Sequence, residues 1–227
     1  MLNIKNTTHI NYAFFDLDET IISTKSMMSF IDLYFNHYAN ENTKKDFHYR
    51  INKLIKNNTP RTEINSKFYE NFKGFPISRV KKICQLWFDE MSNKKNNFYN
   101  KNVVDVLKKH QLNGTECVFI SGSFQELIKP IAEDLNVKHT ISNKLENNGF
   151  TYSGKLLPPQ TIGEGKAEAL LSFSNKHQID LSLCFAYGDD ISDAPMLNLV
   201  GNPTVISGEK ELEKHAQKNG WKILQPN

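Results

Sequence analysis

The spacing of apolar residues changes along the chain, and each pattern predicts a different structure. Residues 12–15, Tyr-Ala-Phe-Phe, form a short apolar run that predicts a buried strand. Between residues 26 and 97 apolar side chains recur at helical spacing with no clear strand pattern, and Thr59-Pro60 and Phe75-Pro76 are typical helix starts. The first helix of this segment is predicted from Met27, Ile31, Tyr34, Phe35 and Tyr38.

From residue 101 onward, predicted helices alternate with predicted strands. The helices cover residues 103–110, 124–134, 166–177, 194–199 and 209–218, and the strands cover residues 117–120, 139–145, 183–187 and 204–206. Asn147-Asn148-Gly149 is typical of a hairpin turn between two strands. This alternation predicts an α/β fold with a parallel sheet covered by helices on both faces.

The strand at residues 12–15 is expected to join that sheet, and the helical segment is inserted after this strand in the chain. We therefore predict a core made of residues 1–25 and 98–227 and a helical cap made of residues 26–97. A chain of 227 residues is long enough for such a core with an insert.

Composition and charge exclude several classes of protein. The chain is 39% hydrophobic and 23% charged, its mean hydropathy is −0.52 and its net charge is +3. It has no run of about 18 apolar residues for a membrane helix, and its first apolar run is too short for a signal peptide, which predicts a cytoplasmic protein. Its basic residues are interrupted by acids and asparagines, so neither a nucleic-acid partner nor a membrane partner is expected.

The first group of acidic residues directly follows the predicted strand at residues 12–15. Asp16 and Asp18 are two positions apart, and alternate side chains of a strand share a direction, so both carboxylates should project near one point. Ligands of open α/β sheets bind at the carboxyl ends of the strands. The string Asp16-Leu17-Asp18-Glu19-Thr20 therefore suggests a ligand site; the alternative is a turn in which Asp and Thr cap the next segment.

Two further segments carry groups that suit an anion. Ser121-Gly122 follows the predicted strand at residues 117–120, and a hydroxyl with free N–H groups at a helix start can hold phosphate. An ordinary serine helix cap is the alternative. Lys166 stands at the start of a predicted helix, where the helix dipole disfavours a cation. That placement indicates a functional reason, with a solvated lysine as the alternative.

A second acidic cluster follows the predicted strand at residues 183–187. Its carboxylates belong to Asp189, Asp190 and Asp193. Like charges held together cost stability unless a cation joins them. Magnesium takes oxygen ligands and usually keeps several waters, so the cluster predicts a Mg²⁺ site.

In this order and at these positions, the four segments resemble the motifs of the haloacid-dehalogenase (HAD) superfamily of phosphatases. The matching motifs are Asp16 through Thr20, Ser121-Gly122, Lys166 and Gly188 through Asp193. The insert resembles the C1-type helical cap of the phosphoserine-phosphatase-like branch, subfamily IB. Residues 142–145, 152–156, 163–170, 187–201 and 211–224 also resemble that branch. The resemblance implies a Rossmann-like HAD core.

The resemblance further implies a magnesium-dependent phosphomonoesterase acting on a small phosphorylated metabolite. Asp16 would attack phosphorus and form an aspartyl-phosphate, and Asp18 would serve as general acid and base. Asp18 would need a raised pKa to hold its proton near neutral pH.

The ligands of the metal and of the phosphate are implied in the same way. Mg²⁺ would bind Asp16, the backbone carbonyl of Asp18 and Asp189, with Asp193 near by or linked through a water. The groups implied for the phosphoryl oxygens are Ser121, the Gly122 amide and Lys166, with Thr20 as support. Asp190 and Ser192 are expected to orient their loop, with or without touching metal or substrate.

Substrate selection is expected to depend on the cap. In phosphoserine-specific relatives an acidic residue soon after the first motif reads the substrate ammonium, and the matching position is Lys25. A lysine would repel an ammonium and favour a carboxylate or a second phosphate; the alternative is an exposed Lys25 without a role. Arg50 and Arg61 could bind an anionic group or be solvated. Side chains that could line the pocket, or belong to the core instead, are Met27, Met28, Phe30 and Phe35.

Two motif residues disfavour dehalogenation as the activity. Dehalogenation needs neither a metal nor an acid–base partner two residues after the nucleophile, so Asp18 and Asp189 speak against it. A phosphotransferase that passes phosphate from Asp16 to an alcohol and a non-catalytic binding module on the same fold are the alternatives.

Overall fold

One seven-stranded sheet organises the molecule. The structure is a computed structural model that describes residues 11–94, apart from the side chain of Lys94, and residues 97–227. The strands are β1 Tyr12–Phe15, β2 Glu116–Phe124, β3 His139–Asn147, β4 Tyr152–Leu157, β5 Phe185–Gly188, β6 Asn202–Ile206 and β7 Lys222–Leu224. Their order across the sheet is β4-β3-β2-β1-β5-β6-β7. All neighbours are parallel except β3 and β4, which form the predicted hairpin.

The helices fall into two sets along the chain. Four follow β1 directly: α1 Ser26–Tyr38, α2 Glu41–Lys56, α3 Arg61–Glu70 and α4 Ile77–Lys94. The others alternate with strands: α5 Lys101–Leu112, α6 Gln125–Asp134, α7 Glu164–His177, α8 Ala194–Leu197 and α9 Lys210–Asn219. The predicted α/β class with a helical insert is confirmed. Among the described helices, none combines the length and apolar character that crossing a bilayer requires.

Strand β1 holds the centre of the sheet because all four of its side chains are buried. Successive side chains of a strand point to opposite faces. Tyr12 and Phe14 pack with residues of α7, α8 and α9, whereas Ala13 and Phe15 pack with residues of α5, α6 and the insert. Strand β1 therefore packs between two apolar layers, and this packing fixes the position of its carboxyl end.

The inserted helices are tied to the sheet through aromatic side chains. Phe30 of α1 and Phe72, just after α3, both contact Phe124 at the end of β2, with ring centroids 5.2 Å apart in each case. All three rings are fully buried. The division into residues 1–25 with 98–227 and residues 26–97 stays a prediction, and residues 1–10 and 95–96 of those ranges lie outside the described residues.

The structure corrects several predicted element bounds. Strand β5 begins at Phe185 rather than Leu183, because residues 181–183 form a 3-10 turn. The Asp180 carboxylate caps this turn by accepting the Ser182 N–H at 3.0 Å. Helix α8 ends at Leu197 rather than at residue 199, and the short edge strand β7 was not predicted.

Candidate active site

Three neighbouring strands bring three of the four predicted motifs to one edge of the sheet, and Lys166 of α7 reaches the same edge. Phe15 of β1 is paired with Phe119 of β2 on one side and with Tyr187 of β5 on the other. The Asp16 N–H continues this ladder by donating to the Tyr187 carbonyl at 2.9 Å. Because the strands are parallel, the residues that follow each of them meet at the same carboxyl edge.

A tight turn follows Asp16 and places Asp18 against the insert. The Leu17 carbonyl accepts the N–H groups of Ile21 and Ile22 at 2.9 and 3.0 Å, so the chain reverses at once. The Asp18 carboxylate accepts the N–H of Ser26, the first residue of α1, at 3.1 Å. Asp18 thus lies between the sheet edge and the first inserted helix.

Three carboxylates form a cluster at this edge. Oxygen atoms of Asp16, Asp189 and Asp193 all lie within 4.8 Å of one another, and Asp16 and Asp193 are buried. The Lys166 ammonium lies 2.6 Å from Asp16 and 2.5 Å from Asp193. Three carboxylates and one ammonium leave a formal excess of two negative charges. Hard oxygen donors with that excess fit a divalent cation such as Mg²⁺.

Lys166 lies in the first turn of α7, where the helix dipole does not favour it. Burial lowers the pKa of Lys166, but the carboxylates of Asp16 and Asp193 outweigh burial and raise it. The ammonium therefore stays charged and offsets part of the carboxylate repulsion. Tertiary contacts account for the unusual position of this lysine in the sequence.

Asp193 organises the loop that follows β5. Its second carboxylate oxygen accepts the N–H groups of Asp189 and Asp190 at 3.1 and 3.3 Å. A side chain on Gly188 would clash, because a Cβ there would lie 2.6 Å from that oxygen. A loop-forming role for Asp193 was not predicted, although a glycine directly before the acidic cluster was a signal for close packing.

Burial raises the pKa of three carboxyl groups at this edge, and for Asp16 the neighbouring Lys166 ammonium works against that rise. Burial raises the pKa of Asp18 from its ordinary 3.8 to about 6, against the opposing effect of the Ser26 hydrogen bonds. Burial and then the Asp193 carboxylate raise the pKa of Asp189 to about 7. The buried Thr20 hydroxyl donates to Asp189 at 2.7 Å and works against that rise. Thr20 thus contacts a carboxylate of the cluster, and its role toward phosphate stays a prediction.

Ser121 and Gly122 lie in an irregular part of β2 rather than at a helix start, since α6 begins only at Gln125. The Ser121 carbonyl accepts the Thr161 hydroxyl at 2.5 Å, and the Gly122 carbonyl accepts the Asn143 side chain at 2.5 Å. Asn143 and Thr161 were not predicted. Asparagine is depleted in strands, so Asn143 inside β3 was the available signal.

A cavity of about 230 Å³ lies between this edge of the sheet and the insert. Its lining includes Asp16, Asp18, Ser121 and Lys166, so the motif residues share one space. Lys25, directly before α1, and Met27 and Met28 of α1 also line the cavity. By contrast, Phe30 and Phe35 are fully buried in the core and do not line the cavity.

The two arginines of the insert have different places. Arg61, at the start of α3, lines the cavity and forms an ion pair with Asp190 while donating to the Ser192 hydroxyl at 3.1 Å. It links the insert to the loop after β5, a contact that sequence reasoning missed. Arg50 instead donates to Asn71 at 2.8 Å and lines a separate groove.

Several known proteins with related sequences are named phosphatases. A probable phosphatase of Mycobacterium tuberculosis is 26% identical over 93% of this chain and 74% of its own length. A phosphoserine phosphatase of the same organism is 26% identical over 93% of this chain and 69% of its own length. A histidinol-phosphatase of Neisseria meningitidis is 24% identical over 94% of this chain and 98% of its own length.

Solved structures share the fold. A Bordetella pertussis protein of unknown function superposes with a TM-score of 0.87 at 18% identity, over 97% of this chain and all of the other. A phosphoserine phosphatase solved as a phospho-aspartyl intermediate analogue has a TM-score of 0.64 at 17% identity, over 96% of this chain and 94% of the other. The predicted resemblance to the phosphoserine-phosphatase-like branch is confirmed.

The family profile matches most of the chain. The profile of haloacid dehalogenase-like hydrolases covers residues 13–198, which include every motif described above. The hydrolase class predicted from the motifs is thereby confirmed. The chain belongs to the haloacid dehalogenase-like hydrolase family.

Proposed function

We propose that this protein is a magnesium-dependent phosphatase that transfers phosphate from a small phosphate monoester to Asp16 and then to water. The observation that carries the proposal is the cluster of Asp16, Asp189 and Asp193 around the Lys166 ammonium, in a cavity shared with Asp18. Relatives named phosphatases support the same reaction class.

In the first step an Asp16 carboxylate oxygen attacks phosphorus, and the bond from phosphorus to the ester oxygen breaks. The Lys166 ammonium, with the Ser121 hydroxyl and the Gly122 amide, would neutralise and orient the phosphoryl oxygens. Phosphoryl transfer depends mainly on such positioning and charge neutralisation. The product of this step is an aspartyl-phosphate and a free alcohol.

Asp18 would protonate the departing alkoxide and afterwards accept a proton from the water that hydrolyses the aspartyl-phosphate. One group can serve in both directions, and acid–base catalysis of this kind is worth about 10²–10⁴ in rate. A pKa of about 6 supports this role, because a carboxylic acid with that pKa holds and releases its proton near neutral pH.

The residues that would hold Mg²⁺ are Asp16, the backbone carbonyl of Asp18 and Asp189, with Asp193 near by. When bound, the ion would offset the repulsion between the Asp16 carboxylate and the anionic phosphate. The Thr20 hydroxyl would support this site because its hydrogen bond lowers the pKa of Asp189 and so favours the ionised carboxylate.

The substrate is expected to be a small phosphorylated metabolite. The relatives are named for two different substrates, phosphoserine and histidinol phosphate, so their names support the reaction class rather than one compound. The cytoplasmic location stays a prediction.

Phosphate release from p-nitrophenyl phosphate, with Mg²⁺ and with EDTA, tests the proposal. The wild-type chain should release phosphate only with Mg²⁺, and Asp16→Asn should release none while keeping its fold by circular dichroism. Asp105→Asn, an exposed aspartate on α5, is the matched control and should behave as the wild type. Retained turnover in Asp16→Asn would refute the nucleophile assignment.

A further inference from the structure

We infer that the preferred substrate is a phosphate monoester whose organic group is uncharged and apolar. This inference rests on the proposed function, since it concerns what enters the same cavity. The polar and the apolar residues that line this cavity come from different parts of the fold. The sheet edge supplies the acids, the Lys166 ammonium and the hydroxyls. The insert supplies an apolar wall of six side chains together with Arg61 and Asn65, whose polar groups are already bonded to Asp190 and to the Gln160 side chain.

The apolar wall comes from three helices of the insert. Its six side chains are Met27 and Met28 of α1, Ile51 and Ile55 of α2, and Ile64 and Phe68 of α3. Residues four apart lie on the same face of a helix, so each pair on α2 and α3 presents one continuous surface. The wall is therefore built by helical spacing and does not depend on a single exposed side chain.

Cations that line the cavity already have anionic partners within the described residues. Lys25 lies 3.2 Å from Glu19, and Arg61 is paired with Asp190. The third cation, Lys166, lies between two carboxylates at the sheet edge. Both outer ion pairs lie at the rim, where more than half of the Lys25 and Arg61 side chains is exposed.

A charged organic group would therefore lose hydration without gaining a dedicated partner on the apolar wall. Burying a charge or polar group without a hydrogen-bond partner is costly, whereas burying apolar carbon is favourable. The volume of about 230 Å³ lies below the about 300–1,000 Å³ typical of pockets for drug-sized ligands, so the organic group must be small. A short alkyl chain or a single ring has this character.

A set of esters with equal chain length and similar leaving groups tests the inference. Butyl phosphate is apolar, 3-aminopropyl phosphate carries an ammonium and 3-phosphooxypropanoate carries a carboxylate. With Mg²⁺, kcat/KM for butyl phosphate should exceed that for each charged ester at least about tenfold, because one methylene in an apolar pocket is already worth about 10–200-fold. The kcat/KM for phosphoserine should be as low as that for the charged esters.

Variants connect the preference to the wall. Ile55 is 54% exposed, so Ile55→Ser should fold normally. It should lower the preference for butyl over 3-aminopropyl phosphate about threefold, since half of the side chain is already in solvent and a buried methylene is worth about tenfold or more. Leu112→Ser is the control: this leucine is 88% exposed on α5, does not line the cavity and should leave the preference unchanged.

The outcomes separate this inference from the proposed function. Equal or faster Asp16-dependent turnover of either charged ester would overturn the inference while leaving the phosphatase intact; a preference for the carboxylate would assign Lys25 to the substrate instead. If none of the three esters is hydrolysed, turnover of p-nitrophenyl phosphate decides whether the phosphatase proposal stands. Calorimetry with butylphosphonate and 3-aminopropylphosphonate then decides the inference by itself: tighter binding of butylphosphonate supports it, and equal or weaker binding overturns it.

Discussion

Replacing Asp18 by asparagine should stabilise the metal-free protein while slowing its turnover. Burial raises the pKa of Asp18 to about 6 in the folded chain, against 3.8 ordinarily. Between these values the folded state holds a proton that the unfolded state has lost, so the free energy of unfolding falls as pH rises. Asparagine is neutral and can still accept the Ser26 N–H, so the variant escapes this loss.

The size of the effect follows from the pKa difference. About two pH units at about 1.4 kcal/mol each give about 3 kcal/mol above pH 7. Asp18 is partly exposed, and screening by solvent reduces the figure to about 2–3 kcal/mol. The advantage of Asp18→Asn should therefore be about 2–3 kcal/mol at pH 8 and should shrink to a small fraction of that at pH 4, close to the ordinary pKa of 3.8, where folded Asp18 is protonated and the unfolded carboxyl is only partly ionised.

Urea denaturation in EDTA, followed by circular dichroism from pH 4 to 8, measures this difference. Asp105→Asn removes an exposed carboxylate instead and should show little change at any pH. With Mg²⁺ present, kcat of Asp18→Asn should fall at least about a hundredfold. An unfolding free energy at pH 8 no higher than that of the wild type would refute the burial argument, and near-normal turnover would refute the acid–base role.

Three other substitutions test the surroundings of the site. Lys166→Met leaves two buried carboxylates without their cation and should cost about 3–5 kcal/mol in urea denaturation at pH 8 in EDTA, with a smaller loss at pH 5. Thr20→Val should raise the pKa of Asp189 further and weaken Mg²⁺ binding about fivefold at pH 7 by calorimetry, with recovery at pH 8.5; unchanged affinity would contradict the role of the hydroxyl. Arg61→Ala breaks an exposed ion pair with Asp190 and should change the unfolding free energy by less than about 1 kcal/mol; a larger loss would mean that this link supports the fold.

Local sequence patterns were enough to predict the α/β class, the position of β1 and the motif residues. The run at residues 12–15 is apolar on both faces, as only a central strand of a covered sheet requires, and the structure buries all four side chains. Acidic or small polar residues directly after apolar runs indicated the carboxyl ends of the strands. These signals are short in range, because a strand end and the residues that follow it are neighbours in the chain.

Contacts between distant residues could not be predicted from such patterns. Lys166 meets Asp16 across 150 positions, and Arg61 meets Asp190 across 129 positions. The irregular end of β2 is held by Asn143 and Thr161, neither of which lies near it in the chain. Whether a charged side chain is solvated or paired depends on which opposite charges the folded chain brings within a few ångströms of it. Those distances are set by the packing of strands and helices, which local sequence patterns do not contain.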